Sequence, residues 1–338
     1  MCCCRLRSFG LEIWRDEHEQ KIEIKSMNLK FEIPDRCNNV FIVGADTYLG
    51  THFAKYWLEE NRNVYGCGTA KVLSEDLKQV HYLQSDFASW DFADKSFDWF
   101  MICLNPAMNT ISYLTALKSF CDYIDQNQLS PHVCFPSSFM ICESKSHKSI
   151  SEECILDPHS EYEMNLAMAE QYLNMRSCHL ETNLLPYVVR LGEVYGDEIQ
   201  RDDATILPGM INSAWQAAIA GEPITMYGLG EKKRTFTHIA DACRFVIEYL
   251  KLDFAPRKVN VPGEKMRLVE AIMAMAVQYD VETPLAAATQ NNVFFNKFAG
   301  DQVLSEALAK KLIAYEPRFN FKRWLSAQEP KTAALAIG

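Results

Sequence analysis

The stretch NVFIVGADTYLG, Asn39–Gly50, constrains the fold more than any other part of the chain. Val40, Phe41, Ile42 and Val43 form a short, continuous apolar run, which suits a parallel strand covered on both faces. Gly44 follows at once. A glycine there lets the chain turn tightly and brings backbone N–H groups towards an anion, and Gly50 lets the following helix pack closely on the strand. The spacing therefore predicts strand, tight turn and helix, with Gly44, Asp46, Thr47, Tyr48, Leu49 and Gly50 forming a candidate phosphate site at the helix N-terminus.

The chain beyond this turn alternates between two periodicities. Phe53, Ala54, Trp57 and Leu58 have helical spacing, and Val64–Cys67 reads as a second strand. Strands are then expected over Val80–Leu83, Phe97–Leu104, His132–Pro136 and Tyr187–Val194, with helices over Asn109–Gln126 and Glu161–Arg176. That alternation predicts an α/β fold with a doubly wound parallel sheet. Ligands of such sheets bind at the carboxyl ends of strands, where Ser138 follows the fifth strand. After Gly196 the pattern changes to a polar loop (Asp197–Asp203), an amphipathic helix (Ile206–Ala220) and a turn-rich stretch (Gly221–Gly230). The expected organisation is an extension over residues 1–38, a sheet domain over 39–196 with 236–256 packing back onto it, and a smaller substrate lobe over 197–330.

Composition excludes several partners. A formal charge of -10 and an isoelectric point near 5.4, with no basic stretch to offset them, argue against nucleic acid and anionic membrane surfaces and leave a small molecule as the partner. No apolar run approaches the roughly 18 residues of a membrane span. Twelve cysteines are scattered through apolar segments, among them Cys103, Cys121, Cys134 and Cys243, without metal-ligand spacing. Reduced core thiols, no metal and a cytoplasmic location are the expectation. Residues 1–38 lack a secretory pattern, because Arg5, Arg7 and the charged run Arg15–Lys25 interrupt the apolar residues.

Several separate stretches together resemble the extended short-chain dehydrogenase/reductase family, the branch holding nucleotide-sugar epimerases and dehydratases. They are the Gly44–Gly50 turn, Asp86, Ser138, Tyr162 opening a helix that runs on to Glu170, VVRLGEVYG (Val188–Gly196), YGLGEKKRTFTHIADA (Tyr227–Ala242) and VNVPG (Val259–Gly263). The resemblance covers about Asn39–Phe321. It implies a Rossmann sheet and NAD or NADP held by the glycine turn, with Asp86 at the adenine and Tyr162 shared between cofactor and catalysis. It further implies that Ser138 and Tyr162 hydrogen-bond the reacting oxygen, and that Arg234 and Glu193 face the substrate, the arginine pairing with a substrate phosphate. Helices Asn109–Gln126 and Tyr162–Arg176 resemble those of a four-helix dimer interface, so a homodimer is expected. His238 and Asp241 are expected to cap and anchor the helix that starts near Ile239.

The departures from that pattern are chemical. The middle glycine of the family turn is Thr47, with Asp46 beside it, although the Thr47 hydroxyl can donate a hydrogen bond to a phosphate. The tip of the second strand, Gly68-Thr69-Ala70-Lys71, carries no acid to bind a ribose 2′-hydroxyl, which tilts the expectation towards NADP. The family pair Tyr-x-x-x-Lys ends here in Leu166. An ammonium ~5 Å from a phenolate at an effective dielectric of ~20 contributes about 3 kcal/mol, or roughly two pKa units. Without it Tyr162 is expected to titrate near the free value of about 10, with on the order of one molecule in a thousand ionised at neutral pH. Glu193 stands where relatives handling nucleotide diphosphates often carry asparagine, and a carboxylate there opposes an anionic substrate.

Two functions follow. One is an NAD(P)-dependent epimerase, dehydratase or reductase acting on a sugar, nucleotide sugar or similar hydroxy/keto compound. The other is a catalytically degenerate member serving as a regulatory or structural subunit. Ser138 and Tyr162 favour the first, Thr47 and Leu166 the second.

Overall fold

The computed structural model describes residues 38–85, 87, 97–143, 149–178, 184–196, 210–226, 230–281, 286–287 and 300–328. The N-terminal extension, Asp86 and the loop from Asp197 fall outside them. The first layer contains β1 (Asn39–Val43), α1 (Tyr48–Glu59), β2 (Asn63–Gly68), β3 (His81–Gln84), β4 (Trp99–Ile102), α2 (Thr110–Gln126), β5 (His132–Ser138), α3 (Glu161–Ser177) and β6 (Leu185–Leu191). Then come β7 (Glu193–Tyr195), α4 (Met210–Ile219), β8 (Thr225–Met226), β9 (Lys233–His238), α5 (Ile239–Leu250), β10 (Lys258–Asn260), β11 (Glu264–Arg267), α6 (Leu268–Tyr279), β12 (Ala286–Ala287), α7 (Ala307–Leu312) and α8 (Phe321–Ser326).

Among the described residues, seven strands form an all-parallel sheet in the order β10-β6-β5-β4-β1-β2-β3. The apolar run Val40–Val43 lies inside it, between β2 and β4, as a strand covered on both faces requires. One face is closed by α1 and α5, whose Phe53, Trp57, Phe245 and Tyr249 are fully buried. The other is closed by α2 and α3 through Tyr113, Phe120, Leu166 and Leu173.

The helices of this second face start at side-chain caps. Asn109 accepts from the Ile111 N–H at 3.0 Å to begin α2. Ser160 accepts from the Glu163 N–H at 3.2 Å to begin α3, while the Glu163 carboxylate reaches back to the His159 N–H at 2.7 Å. Such reciprocal caps fix the first turn of a helix, and Tyr162 lies in that turn of α3.

The sixth strand, expected to run through Val194, divides at Gly192. β6 stays in the first sheet between β5 and β10, whereas β7 joins a second sheet in which β9 pairs parallel with β7 and antiparallel with β11. Any side chain at position 192 would collide with the Thr235 carbonyl, so the strand changes sheets at the one residue that tolerates that contact. A separate apolar cluster, including Tyr195, Trp215, Phe236, Phe321 and Trp324, fills the space beneath this second sheet.

The cysteine expectation needs a correction. Cys67, Cys103, Cys121, Cys134 and Cys243 are buried free thiols, but Cys142 and Cys154 form a disulfide. Chain folding brings these two together between β5 and α3, which spacing alone did not reveal. Among the described residues no helix is long and apolar enough to cross a membrane, and no group of side chains is arranged to hold a metal ion.

Candidate functional site

The glycine turn keeps the space a phosphate needs. Gly44 has φ +77°, a conformation that disfavours side chains, and a Cβ there would collide with the Cys103 carbonyl at the end of β4. A Cβ at Gly50 would collide with the Gly44 carbonyl, so α1 starts directly against the turn. With both cradle positions intact, the turn fits the pyrophosphate of a dinucleotide.

Thr47 changes how the turn is held. Its Oγ1 accepts from the Gly50 N–H at 3.1 Å and lies 2.8 Å from the Gly44 carbonyl and 2.9 Å from the Cys103 carbonyl, either of which can take its single proton. The hydroxyl expected to face a phosphate is thus turned into the fold, where it caps α1. One of the amides available at the helix start is already bonded. Half-buried Leu49 packs against the core. The Tyr48 hydroxyl lies 3.4 Å from the Gly196 carbonyl. Asp46 is buried, and its carboxylate accepts from the Ala70 N–H at 2.9 Å and the Thr69 hydroxyl at 3.1 Å.

At the carboxyl end of β5, Ser138 accepts from the Met140 N–H at 3.2 Å, which leaves its own proton to donate. Tyr162, 39% exposed over the whole residue, rises from the start of α3. Burial around its hydroxyl, reinforced by the Glu193 and Glu163 carboxylates, pushes the phenol up to about 12. This corrects the sequence-based value near 10. At neutral pH the ionised fraction falls to on the order of one in a hundred thousand.

Leu166, one helical turn beyond Tyr162, is 2% exposed and belongs to the same apolar cluster as Tyr113, Phe139 and Leu173. Beside it Asn165 donates to the Pro106 and Met108 carbonyls at 3.0 and 2.9 Å, tying α3 to the loop before α2. Tyr113 went unnoticed in the sequence. It is fully buried, and its hydroxyl has no hydrogen-bond partner among the described residues. The Tyr162 hydroxyl and the Cys103 thiol lie near enough to add to the burial that holds it protonated. The available signal was a tyrosine within the apolar stripe of Ala116, Leu117 and Phe120 on α2.

The two substrate-facing candidates meet each other. Arg234 on β9 donates to Glu193 on β7 at 2.6 Å, with both side chains buried. A second buried pair lies nearby in sequence, where Arg190 on β6 makes a bidentate contact with Glu170 on α3 at 3.0 and 2.7 Å. Arg190 also donates to the Glu152 carbonyl at 2.8 Å. His238 caps α5 through its Nδ1, 3.2 Å from the Ala240 N–H, and Asp241 accepts from the Phe319 N–H at 2.9 Å. Both therefore anchor structure, as expected.

Comparison with known proteins follows the same outline. Residues 40–261 match the profile of the NAD dependent epimerase/dehydratase family. Among solved structures, MoeE5 in complex with UDP-glucuronic acid and NAD is similar with a TM-score of 0.70 at 20% identity, covering 86% of this chain and 97% of that one. TunA, an NAD dependent NDP-hexosamine 5,6-dehydratase involved in tunicamycin biosynthesis, gives 0.71 at 15% identity over 86% and 95% of the two chains. The UDP-glucose 4-epimerase of Thermus thermophilus, crystallised with NAD, gives 0.67 at 18% identity over 85% and 96%. Comparison with curated proteins returns no match.

Proposed function

Because the chain belongs to the NAD dependent epimerase/dehydratase family, we propose that it binds a nicotinamide dinucleotide at the Gly44–Gly50 turn and acts on a hydroxy/keto substrate in the reducing direction. The carrying observation is the protonation of Tyr162. A phenol held at about 12, with leucine in place of the helix lysine, is a poor base and a serviceable hydrogen-bond donor at neutral pH. Ser138 and Tyr162 are proposed to hold a carbonyl oxygen, and Tyr162 to deliver a proton to it as charge develops there. The dinucleotide, when bound, supplies the hydride. Asp86 is proposed to contact the adenine end.

The substrate end of the site is proposed to lie beside Glu193 and Arg234. MoeE5 binds UDP-glucuronic acid and the Thermus epimerase is named for UDP-glucose, both nucleotide sugars. Here the arginine already faces a carboxylate at 2.6 Å, which favours a sugar or related carbonyl compound without a diphosphate at that point. Glu193 and Tyr162 then share one side of the site, since the carboxylate helps hold the phenol neutral.

The test is a titration of the purified protein with NADH and NADPH followed by their fluorescence, then a screen of ketoses and related carbonyl compounds in single turnover. Binding, with reduction lost in Tyr162→Phe, is the expected result; oxidation of hydroxyl substrates faster than reduction at neutral pH would overturn it. A second reading is specifically favoured by the apolar surroundings of Leu166: a non-catalytic member that binds dinucleotide without turnover. Binding with no reduction of any carbonyl compound would select it.

A homodimer through α2 and α3 is also proposed. Met164, Met168 and Met175 form an exposed stripe on α3, and Ile111 is exposed on α2. Met168→Glu should convert a dimer to a monomer in sedimentation velocity, and a wild-type protein that sediments as a monomer at micromolar concentration rejects the proposal.

A further inference from the structure

We infer that Asp46 reads the adenosine ribose of the dinucleotide, and that it makes this protein select NAD over NADP. The inference rests on the dinucleotide reading above. In sheets of this kind the adenosine half lies at the tip of the second strand, where an acid hydrogen-bonds the ribose 2′-hydroxyl and a basic residue accommodates a 2′-phosphate. The strand tip itself, Gly68-Thr69-Ala70-Lys71, offers only the base.

The fold supplies the missing acid from elsewhere. Asp46 sits in the turn after β1, and its carboxylate crosses to the end of β2, where it accepts from the Ala70 N–H at 2.9 Å and the Thr69 hydroxyl at 3.1 Å. Gly68 makes this possible: a Cβ on that residue would collide with the Asp46 carboxylate, so the acid rests directly on the glycine backbone. Asp46 is 6% exposed, and its carboxylate is held by two donors. It therefore occupies, from the neighbouring turn, the place where the strand normally carries its acid.

The chemistry discriminates between the two cofactors. A ribose 2′-hydroxyl can donate to a fixed carboxylate, whereas a 2′-phosphate has no proton to offer at neutral pH and brings like charge to it. Lys71 does not cancel this. It is exposed, so its ammonium remains a mobile, hydrated charge screened by solvent, while the carboxylate is fixed and shielded.

The experiment is equilibrium titration of the full chain with NADH and with NADPH, read by fluorescence, on the wild type and on Asp46→Asn. Asparagine keeps an acceptor for the Ala70 N–H and removes the charge. The wild type is expected to bind NADH at least about thirtyfold more tightly than NADPH, equivalent to ~2 kcal/mol. The variant is expected to bring the two within about threefold, chiefly by improving NADPH. Equal wild-type affinities, or a ratio unchanged by Asp46→Asn in a folded variant, overturn the role of Asp46 and leave the dinucleotide reading standing. Failure of both cofactors to bind the wild type overturns both. Should Asp46→Asn melt below assay temperature, Asp46→Ser, which also removes the charge, is titrated in its place and the same outcomes apply.

Discussion

Arg234 and Glu193 face each other at 2.6 Å with both side chains buried, so the arginine that the family pattern assigns to a substrate phosphate is balanced from within the fold. Breaking one side of such a pair leaves a buried charge without its counter-ion, which costs about 3–5 kcal/mol. Glu193→Gln is therefore expected to lower the unfolding free energy measured by urea titration by that much. The same change should let the Tyr162 phenol ionise at lower pH, because Glu193 is one of the groups holding it protonated. A variant as stable as wild type would show that the pair carries no structural weight.

Leu166→Lys puts an ammonium one helical turn from Tyr162, in a layer otherwise made of Tyr113, Phe139 and Leu173. Without ligand the lysine loses hydration, and the melting temperature should fall. With NADH present, the ammonium gains the phenol and the bound ribose as partners, so binding should tighten and part of the stability return. Loss of stability with no gain in binding would instead mark the site as adapted to a role without catalysis.

Stability should decline at alkaline pH. The Tyr162 phenol and the Cys67 thiol are both pushed up to about 12, each chiefly by burial. Their ordinary values are 10.0 and 9.0, so well below pH 9 the folded and unfolded states hold the same protons and neither group matters. Between about 9 and 12 the unfolded chain releases protons that the folded one retains, and stability falls as pH rises. Urea midpoints measured at intervals over that range should drop steadily; a midpoint that is flat to about pH 11 would refute the assignment.

Reduction should weaken the region between β5 and α3. The Cys142–Cys154 bond joins residues 12 apart, a loop whose closure contributes about 3 kcal/mol by restricting the unfolded chain. Dithiothreitol and Cys142→Ser should each lower the melting temperature, and together should lower it no further. A melting temperature indifferent to reductant would mean that the thiols are not joined in solution.

Local features of the sequence translated well into structure. The apolar run before Gly44 and the histidine cap of α5 act on neighbours a few residues away, where spacing and residue chemistry are informative. What spacing could not reveal are partnerships across the chain. Glu193 and Arg234 are 41 residues apart, and Asp46 is 23 from Thr69 and 24 from Ala70. Each of these looked like an isolated charge until folding supplied its partner. Tyr162 was missed in degree for the same reason, since folding buries its hydroxyl and then brings Glu193 to it from another sheet. Thr47 was legible as a departure from glycine, but the inward turn of its hydroxyl depends on the Cys103 carbonyl, 56 residues away.

Arg190 and Glu193 stand three residues apart on the segment that leaves one sheet and enters the other, and each is locked to a different layer. Arg190 grips Glu170 on the helix that carries Tyr162, and Glu193 grips Arg234 in the second sheet. Extended chain spans at most about 3.6 Å per residue, so the two attachments are separated by no more than roughly 11 Å of backbone. Each pair closes within its own layer, so a rotation of one sheet against the other along this strand is confined to Leu191 and Gly192 and leaves both charges paired.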